Sequence, residues 1–175
     1  VARTSPGLGI ATLLLDGLKG YLPVKGVLML GISYDAQVTQ YGILLALSIA
    51  FSVAGHMFPI WLRFRGGKGV ATAVGAYVAV APAALGIAAL IFLIVLATSR
   101  FVSLASIVAA LVFPAIAYWQ LGGVNLPFGK AFYGSTVTVS ILIIAKHHAN
   151  IRRLLNGTEN RFGKKRAEEQ IVAED

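Results

Sequence analysis

The cationic side chains of His56, Arg63, Arg65 and Lys68 fall within one run, GHMFPIWLRFRGGKGVAT from Gly55 to Thr72, where they are interleaved with Gly66, Gly67 and Gly69. The cations supply donors for an anion. The glycines let backbone N–H groups approach a ligand without interference from a Cβ. A helix is predicted to start near Val70, and its unsatisfied N–H groups and positive dipole end favour a phosphate at that point. Plainer readings compete. A basic loop that only fixes membrane topology accounts for Arg63 and Arg65 but not for Gly-Gly-Lys-Gly. A P-loop needs Gly where Leu62 stands and Ser or Thr where Gly69 stands, which excludes it. On glycine content alone, a flexible turn remains an equal alternative to an anion site.

A second group of polar residues, Lys146, His147, His148 and Asn150, follows a long apolar stretch. On a helix continuing through this region, His147 and Asn150 share one side, with Arg153 and Leu154 following. Such a pair can orient a hydroxyl or donate to a phosphate; it also suits solvated residues at a helix end. Adjacent histidines suggest a metal, but no cysteine or carboxylate-rich cluster completes a ligand set. Asp16 and Lys19 lie three apart within an apolar run, on one helical face, as a local ion pair or a functional one. An aspartate five residues after a histidine, the spacing of a known catalytic dyad, is missing: Trp61, Arg152 and Arg153 occupy those positions after His56, His147 and His148. A face of cations, amides and glycines suits positioning of two anions and stabilisation of transition-state charge.

The Gly55–Thr72 stretch closely resembles the second signature of the bacterial membrane glycerol-3-phosphate acyltransferases that use acyl phosphate, the PlsY family. LLLDGLKGYLPV (Leu13 to Val24) resembles that family's second span, and HHANIRRLLNGTE (His147 to Glu159) its third signature. VART at the start matches only the last residues of the first signature. The resemblance covers nearly the whole chain. It implies transfer of a fatty acyl group from acyl phosphate to glycerol 3-phosphate, giving 1-acylglycerol 3-phosphate and phosphate, with no cofactor and no metal. Lys68, His147 and Asn150 are the implied catalytic residues. Arg3, His56, Gly66, Gly67, Gly69, Thr72 and Glu159 are implied in substrate binding. The attacking hydroxyl is then activated by substrate phosphate. The resembled family has seven spans, and a chain beginning at Val1 inside the first signature is expected to be at most weakly active.

Composition fixes where the elements must sit. With 57% hydrophobic and 13% charged residues, and a mean hydropathy of +0.78, the chain is far more apolar than a soluble domain. It is expected to be one all-α, polytopic membrane helix bundle over 1–175, with a basic cytoplasmic tail from about 148. The net charge of +8 is concentrated in places such as Arg152, Arg153, Arg161, Lys164, Lys165 and Arg166, which suits anionic lipid headgroups and not nucleic acid. There are no cysteines, so disulfides and thiolate sites are excluded. Asn156-Gly157-Thr158 fits a glycosylation acceptor, but its basic surroundings place it inside.

About six spans are predicted. The first runs from Gly7 to Val24 and is ended by Pro23 and Gly26, leaving Lys25 to Gln40 as a connection. Tyr41 to Gly55 is the second. Val70 to Thr98 as one helix would be roughly 43 Å long against a hydrocarbon core of about 30 Å, so a break at Ala81-Pro82 is expected to give two short spans. That arrangement puts Arg63, Arg65, Lys68 and Arg100 on one side, as the positive-inside rule prefers. Phe101 to Gln120 and Ala131 to Ala145 complete the set. The expected place is the bacterial inner membrane, with the site on the cytoplasmic face. A small-anion transporter would use the same cations but needs polar residues along a path through the bilayer, and only Asp16 and Lys19 are charged within the spans. A structural subunit whose tail binds acidic lipid is a further alternative, separated from an enzyme by a turnover assay.

Overall fold

The computed structural model describes residues 6–33, 38–120, 122 and 129–163. Its elements in chain order are α1 (Pro6–Ser33), α2 (Val38–Met57), a 3-10 turn (Ile60–Leu62), α3 (Val70–Val80), α4 (Pro82–Ser99), α5 (Val102–Gln120), α6 (Gly129–Lys146) and α7 (His148–Leu155). Among the described residues there is no strand, in keeping with the all-helical class expected from sequence. Three segments are clearly long and apolar enough to cross a bilayer: Gln40–Leu62, Pro82–Ser99 and Val102–Gln120. Arg3 and the basic residues Lys164, Lys165 and Arg166 lie outside the described residues.

Two features differ from those expected. Pro23 does not end the first helix, which continues to Ser33 through what was expected to be a connection. Proline removes one backbone hydrogen bond, whereas unwinding in an apolar medium would leave several polar groups unsatisfied. Val24, next to Pro23, is fully buried in the core and holds the segment in register. The last span ends close to where it was expected, at Lys146 against Ala145, and the continuous helix on which His147 and Asn150 would share one side does not form: His147 takes φ −92° and ψ 7°, and α7 begins after it.

The break at Ala81-Pro82 falls where the sequence places it. Pro82 occupies the start of α4, where its missing N–H costs nothing, and Ala81 makes the turn with φ −144° and ψ 57°. At 11 residues, α3 reaches roughly 17 Å, short of a crossing of about 30 Å on its own length.

The core is built from small and aliphatic residues, including Leu45, Ile49, Val53 and Met57 of α2, Ala73 and Ala76 of α3, Ala84 and Ala88 of α4, and Val139 and Ile143 of α6. The Tyr77 ring lies 4.4 Å from that of Phe113 at a tilt of 49° and meets Phe132 edge-on. α1 lies directly against α3. A Cβ at Gly20 would collide with the Thr72 carbonyl, and one at Gly75 with the Gly17 carbonyl. Small residues therefore set the close approach of these two helices, as they do wherever apolar solvent supplies no hydrophobic drive for association.

Long-range bonds gather several helix ends at one end of the bundle. Lys146 Nζ donates to the Met57 carbonyl at 2.8 Å, joining the ends of α6 and α2. The Phe162 N–H donates to the Arg100 carbonyl at 2.6 Å, and Ser103 donates to Glu159 at 2.7 Å, fastening the segment after α7 onto the α4–α5 turn. Arg161 lies over the Phe101 ring at 5.4 Å, closing the same contact.

Candidate active site

After α2 the chain doubles back. The 3-10 turn is followed by Arg63 and Phe64 in left-handed conformations, φ 50° and 62°, and the Gly66 N–H then donates to the Met57 carbonyl at 3.2 Å. Lys146 shares that carbonyl and sits 4.2 Å above the Phe58 ring, so its charge is committed to holding the loop's root. The glycines have packing reasons of their own. A Cβ at Gly66 would strike the His56 carbonyl, and one at Gly67 would strike the His56 ring. Gly69 adopts φ 78° to open α3. Lys68 is left with no hydrogen bond or ion pair among the described residues and lines a cavity. Desolvation at the cavity wall lowers its ammonium pKa, an effect that the Glu159 charge opposes.

The kink at His147 turns the imidazole inward, where it is only 2% exposed. Its Nδ1 lies 2.7 Å from the Ile143 carbonyl. A carbonyl only accepts, so Nδ1 carries the hydrogen and Nε2 is the nitrogen left for a ligand. Burial lowers the His147 pKa below the usual histidine value, against the raising effect of that hydrogen bond, and the Lys68 charge lowers it further. The neutral ring therefore carries a lone pair on Nε2.

One helical turn on, buried Asn150 donates from Nδ2 to Glu159 Oε1 at 2.7 Å. The same oxygen accepts from Ser103 Oγ, and Oε2 accepts from Arg153 Nε at 2.6 Å. Burial pushes the Glu159 carboxyl up, but these three donors and the Arg153 charge outweigh it and hold the pKa below the usual carboxylate range. Glu159 thus orients Asn150 from a segment that also braces α5.

These groups face one cavity of about 1190 Å³. It is lined by Gly67, Lys68 and Gly69 of the loop, Asp16 and Gly17 of α1, His56 of α2, Ser103 and Ser106 of α5, and His147, Asn150 and Glu159. A second cavity of about 400 Å³ shares Val70, Val74, Phe92 and Ser106 with it and continues among α3, α4, α5 and α6 over an almost wholly apolar lining. Pro82, Gly86, Ala89 and Val74 line this continuation and are themselves exposed, so it opens sideways between α3 and α4.

Of the residues singled out from sequence, His56, Gly67, Lys68, Gly69, His147, Asn150 and Glu159 come together on the cavity. Gly66 stands behind it, against His56 and Pro59. Thr72 is fully buried and lies away from the cavity, its carbonyl turned to Gly20 and its hydroxyl without a hydrogen-bond partner. His148 faces outward and bonds the Ala145 carbonyl. Asp16, read from sequence as part of either a local or a functional ion pair, also lines the cavity, whereas Ser103 and Ser106 were not expected there; their spacing, three apart at the start of a span, was the signal available.

The family described as glycerol-3-phosphate acyltransferase matches residues 1–157 of the chain. The chain belongs to the glycerol-3-phosphate acyltransferase family. A glycerol-3-phosphate acyltransferase of Syntrophotalea carbinolica is 41% identical over 155 residues, covering 89% of this chain and 72% of that protein. One from Vibrio campbellii is 38% identical over 167 residues, covering 95% and 74%. Among solved structures, the integral membrane glycerol 3-phosphate acyltransferase PlsY in its glycerol 3-phosphate form superposes with a TM-score of 0.77 at 35% identity, covering 93% of this chain and 74% of that one. The lysophosphatidic acid form of PlsY gives 0.74 at 36% identity, covering 90% and 74%. The likeness in fold and the sequence match thus extend over the helices that carry the cavity in this member of the family.

Proposed function

We propose that this chain transfers a fatty acyl group from acyl phosphate to glycerol 3-phosphate, releasing phosphate and forming 1-acylglycerol 3-phosphate. The observation that carries the reading is the meeting of an unpaired Lys68 with a neutral His147 and an oriented Asn150 on a cavity that continues into an apolar cleft. The Lys68, His147 and Asn150 side chains on the first cavity suit phosphate groups, and the apolar cleft suits an acyl chain. Lys68 and the N–H groups at the start of α3 stabilise phosphate charge. His147 Nε2 accepts a hydrogen bond from the non-reacting hydroxyl of glycerol 3-phosphate, leaving the attacking hydroxyl directed at phosphate, and Asn150 holds the substrate beside it. The attacking hydroxyl oxygen bonds to the acyl carbon, the acyl–phosphate C–O bond breaks, and the hydroxyl proton passes to phosphate, so no protein base is consumed. Positioning and charge stabilisation then supply the rate.

Membership in an integral membrane family and the apolar helices support placement in a bilayer. The inner membrane, with the cavity on the cytoplasmic face and the chain from about 148 as a basic tail beside it, is the arrangement that the arginine and lysine placement favours. Acidic lipids are the partners that suit such a face. An anion transporter is disfavoured, because the cavity's continuation through the bundle is apolar.

The test is release of phosphate from palmitoyl phosphate by the purified chain, with and without glycerol 3-phosphate, and with acyl-coenzyme A as the alternative donor. Lys68→Ala should lower turnover by roughly a hundredfold or more, the scale of losing one preorganised donor. Near-normal turnover by Lys68→Ala, or acyl-coenzyme A serving equally well, would overturn the reading.

A further inference from the structure

The imidazole of His56 stands between two separate parts of the chain. On one edge its Nδ1 lies 3.5 Å from Asp16 Oδ1 in α1. On the other, Nε2 faces Gly67, where an added Cβ would strike it. The same Asp16 oxygen accepts from Lys19 Nζ at 2.8 Å, but the two contacts differ in surroundings: the Lys19 side chain is 60% exposed, Asp16 19% and His56 13%. A mostly exposed ammonium contributes little, whereas a contact withdrawn from water is felt more strongly. Asp16, His56, Gly67 and Lys68 all line the active-site cavity.

The close fit gives the ring a mechanical role. The absence of a side chain at Gly67 lets the loop rest on His56, and Asp16 is the carboxylate 3.5 Å from the ring's other edge. Displacing the ring by an ångström displaces the peptide next to Lys68, and misplacement on that scale is enough to degrade a positioned site. We propose that Asp16 is a positioning residue of the phosphate site: by holding His56 between α1 and Gly67 it sets where the Gly66–Gly69 loop stands and where Lys68 meets a substrate phosphate. Asp16 touches neither substrate in this scheme; it acts through His56. The inference rests on the proposed acyltransferase reading for its kinetic consequence but not for its geometry.

Two readouts separate the proposal from that reading. The first needs no substrate: the rate at which an amine-reactive reagent modifies Lys68, followed by mass spectrometry in the purified chain. Asp16→Asn, which keeps the side-chain shape, should change this rate by several-fold, while Lys19→Met leaves it unchanged. The second is turnover, in which Asp16→Asn should raise KM for glycerol 3-phosphate roughly tenfold, the scale of one pairwise contact, with a smaller effect on kcat. In a His56→Ala background Asp16→Asn should add nothing to either readout, because the link it acts through is gone. Gly67→Ala should be harmful alone and nearly harmless beside His56→Ala, whose vacated space accepts the methyl group.

An Asp16→Asn effect that persists in the His56→Ala background, or is matched by Lys19→Met, would overturn the proposal in favour of an ordinary ion pair. So would an unchanged Lys68 labelling rate in Asp16→Asn. A wild-type chain that shows no acyl transfer would instead defeat the functional reading, and the labelling rates would still decide the role of Asp16.

Discussion

His147 illustrates how a single side chain acquires a chemical role from its surroundings. Its Nδ1 hydrogen is taken by the Ile143 carbonyl, and burial keeps the ring neutral, so Nε2 is an acceptor. A histidine with a lowered pKa stays unprotonated to more acidic pH than an ordinary one. Turnover that depends on the Nε2 lone pair should hold below the usual histidine value of about 6.5 and fall only as pH drops through the lowered one. The pH–rate profile measures this, and His147→Asn should remove the acidic limb along with most of the activity. Stability has the same sign: as pH falls between the two values, the unfolded chain takes up the proton first and the fold loses stability. The residue types were legible in the sequence, since Lys68, His147 and Asn150 stand out against apolar neighbours. The wiring was not. Glu159 gathers Ser103, Asn150 and Arg153, and Ser103 is 56 positions away, a pairing that no local spacing reveals.

At the scale of elements, the contact between α1 and α3 is what brings Asp16 to the cavity. It depends on Gly20 and Gly75, where backbone meets backbone with no flexible side chain to give way. Gly75→Val should force the helices apart, costing about 1–3 kcal/mol, the range for overpacking, and lowering the thermal midpoint in detergent. A substitution to valine at Gly86, which has open space around its Cβ position, is the matched control and should leave the midpoint nearly unchanged. The break at Ala81-Pro82 could be read from the sequence because an uncharged run of that length exceeds a bilayer and proline suits a helix start. The continuation of α1 through Pro23 could not. Local rules make proline a terminator, and the apolar surroundings together with burial of Val24 among α1's neighbours reverse that outcome. The pause at His147 was hidden for a similar reason: the apolar pattern and the polar residues after it both suit one uninterrupted helix.

For the whole molecule, the cross-links among helix ends predict a topology. The α4–α5 turn and the segment after α7 are joined through Arg100 and Phe162, whereas Gly122 lies past the far end of α5. Single cysteines placed at Ser99 and Thr158, in a chain that has none of its own, should react with an impermeant thiol reagent from one side of a sealed vesicle, and one at Gly122 from the other. Ser99 and Thr158 reacting from opposite sides would dismantle the cavity along with the topology. The apolar cleft between α3 and α4 opens on the flank of the bundle, not on its end. For the proposed reaction its reservoir is therefore a two-dimensional one, and the quantity that governs its occupancy is the mole fraction of the acyl donor in the surrounding lipid. Diluting the vesicles with buffer at constant glycerol 3-phosphate should leave the rate per protein unchanged, while diluting the bilayer with inert lipid at constant bulk substrate should slow it.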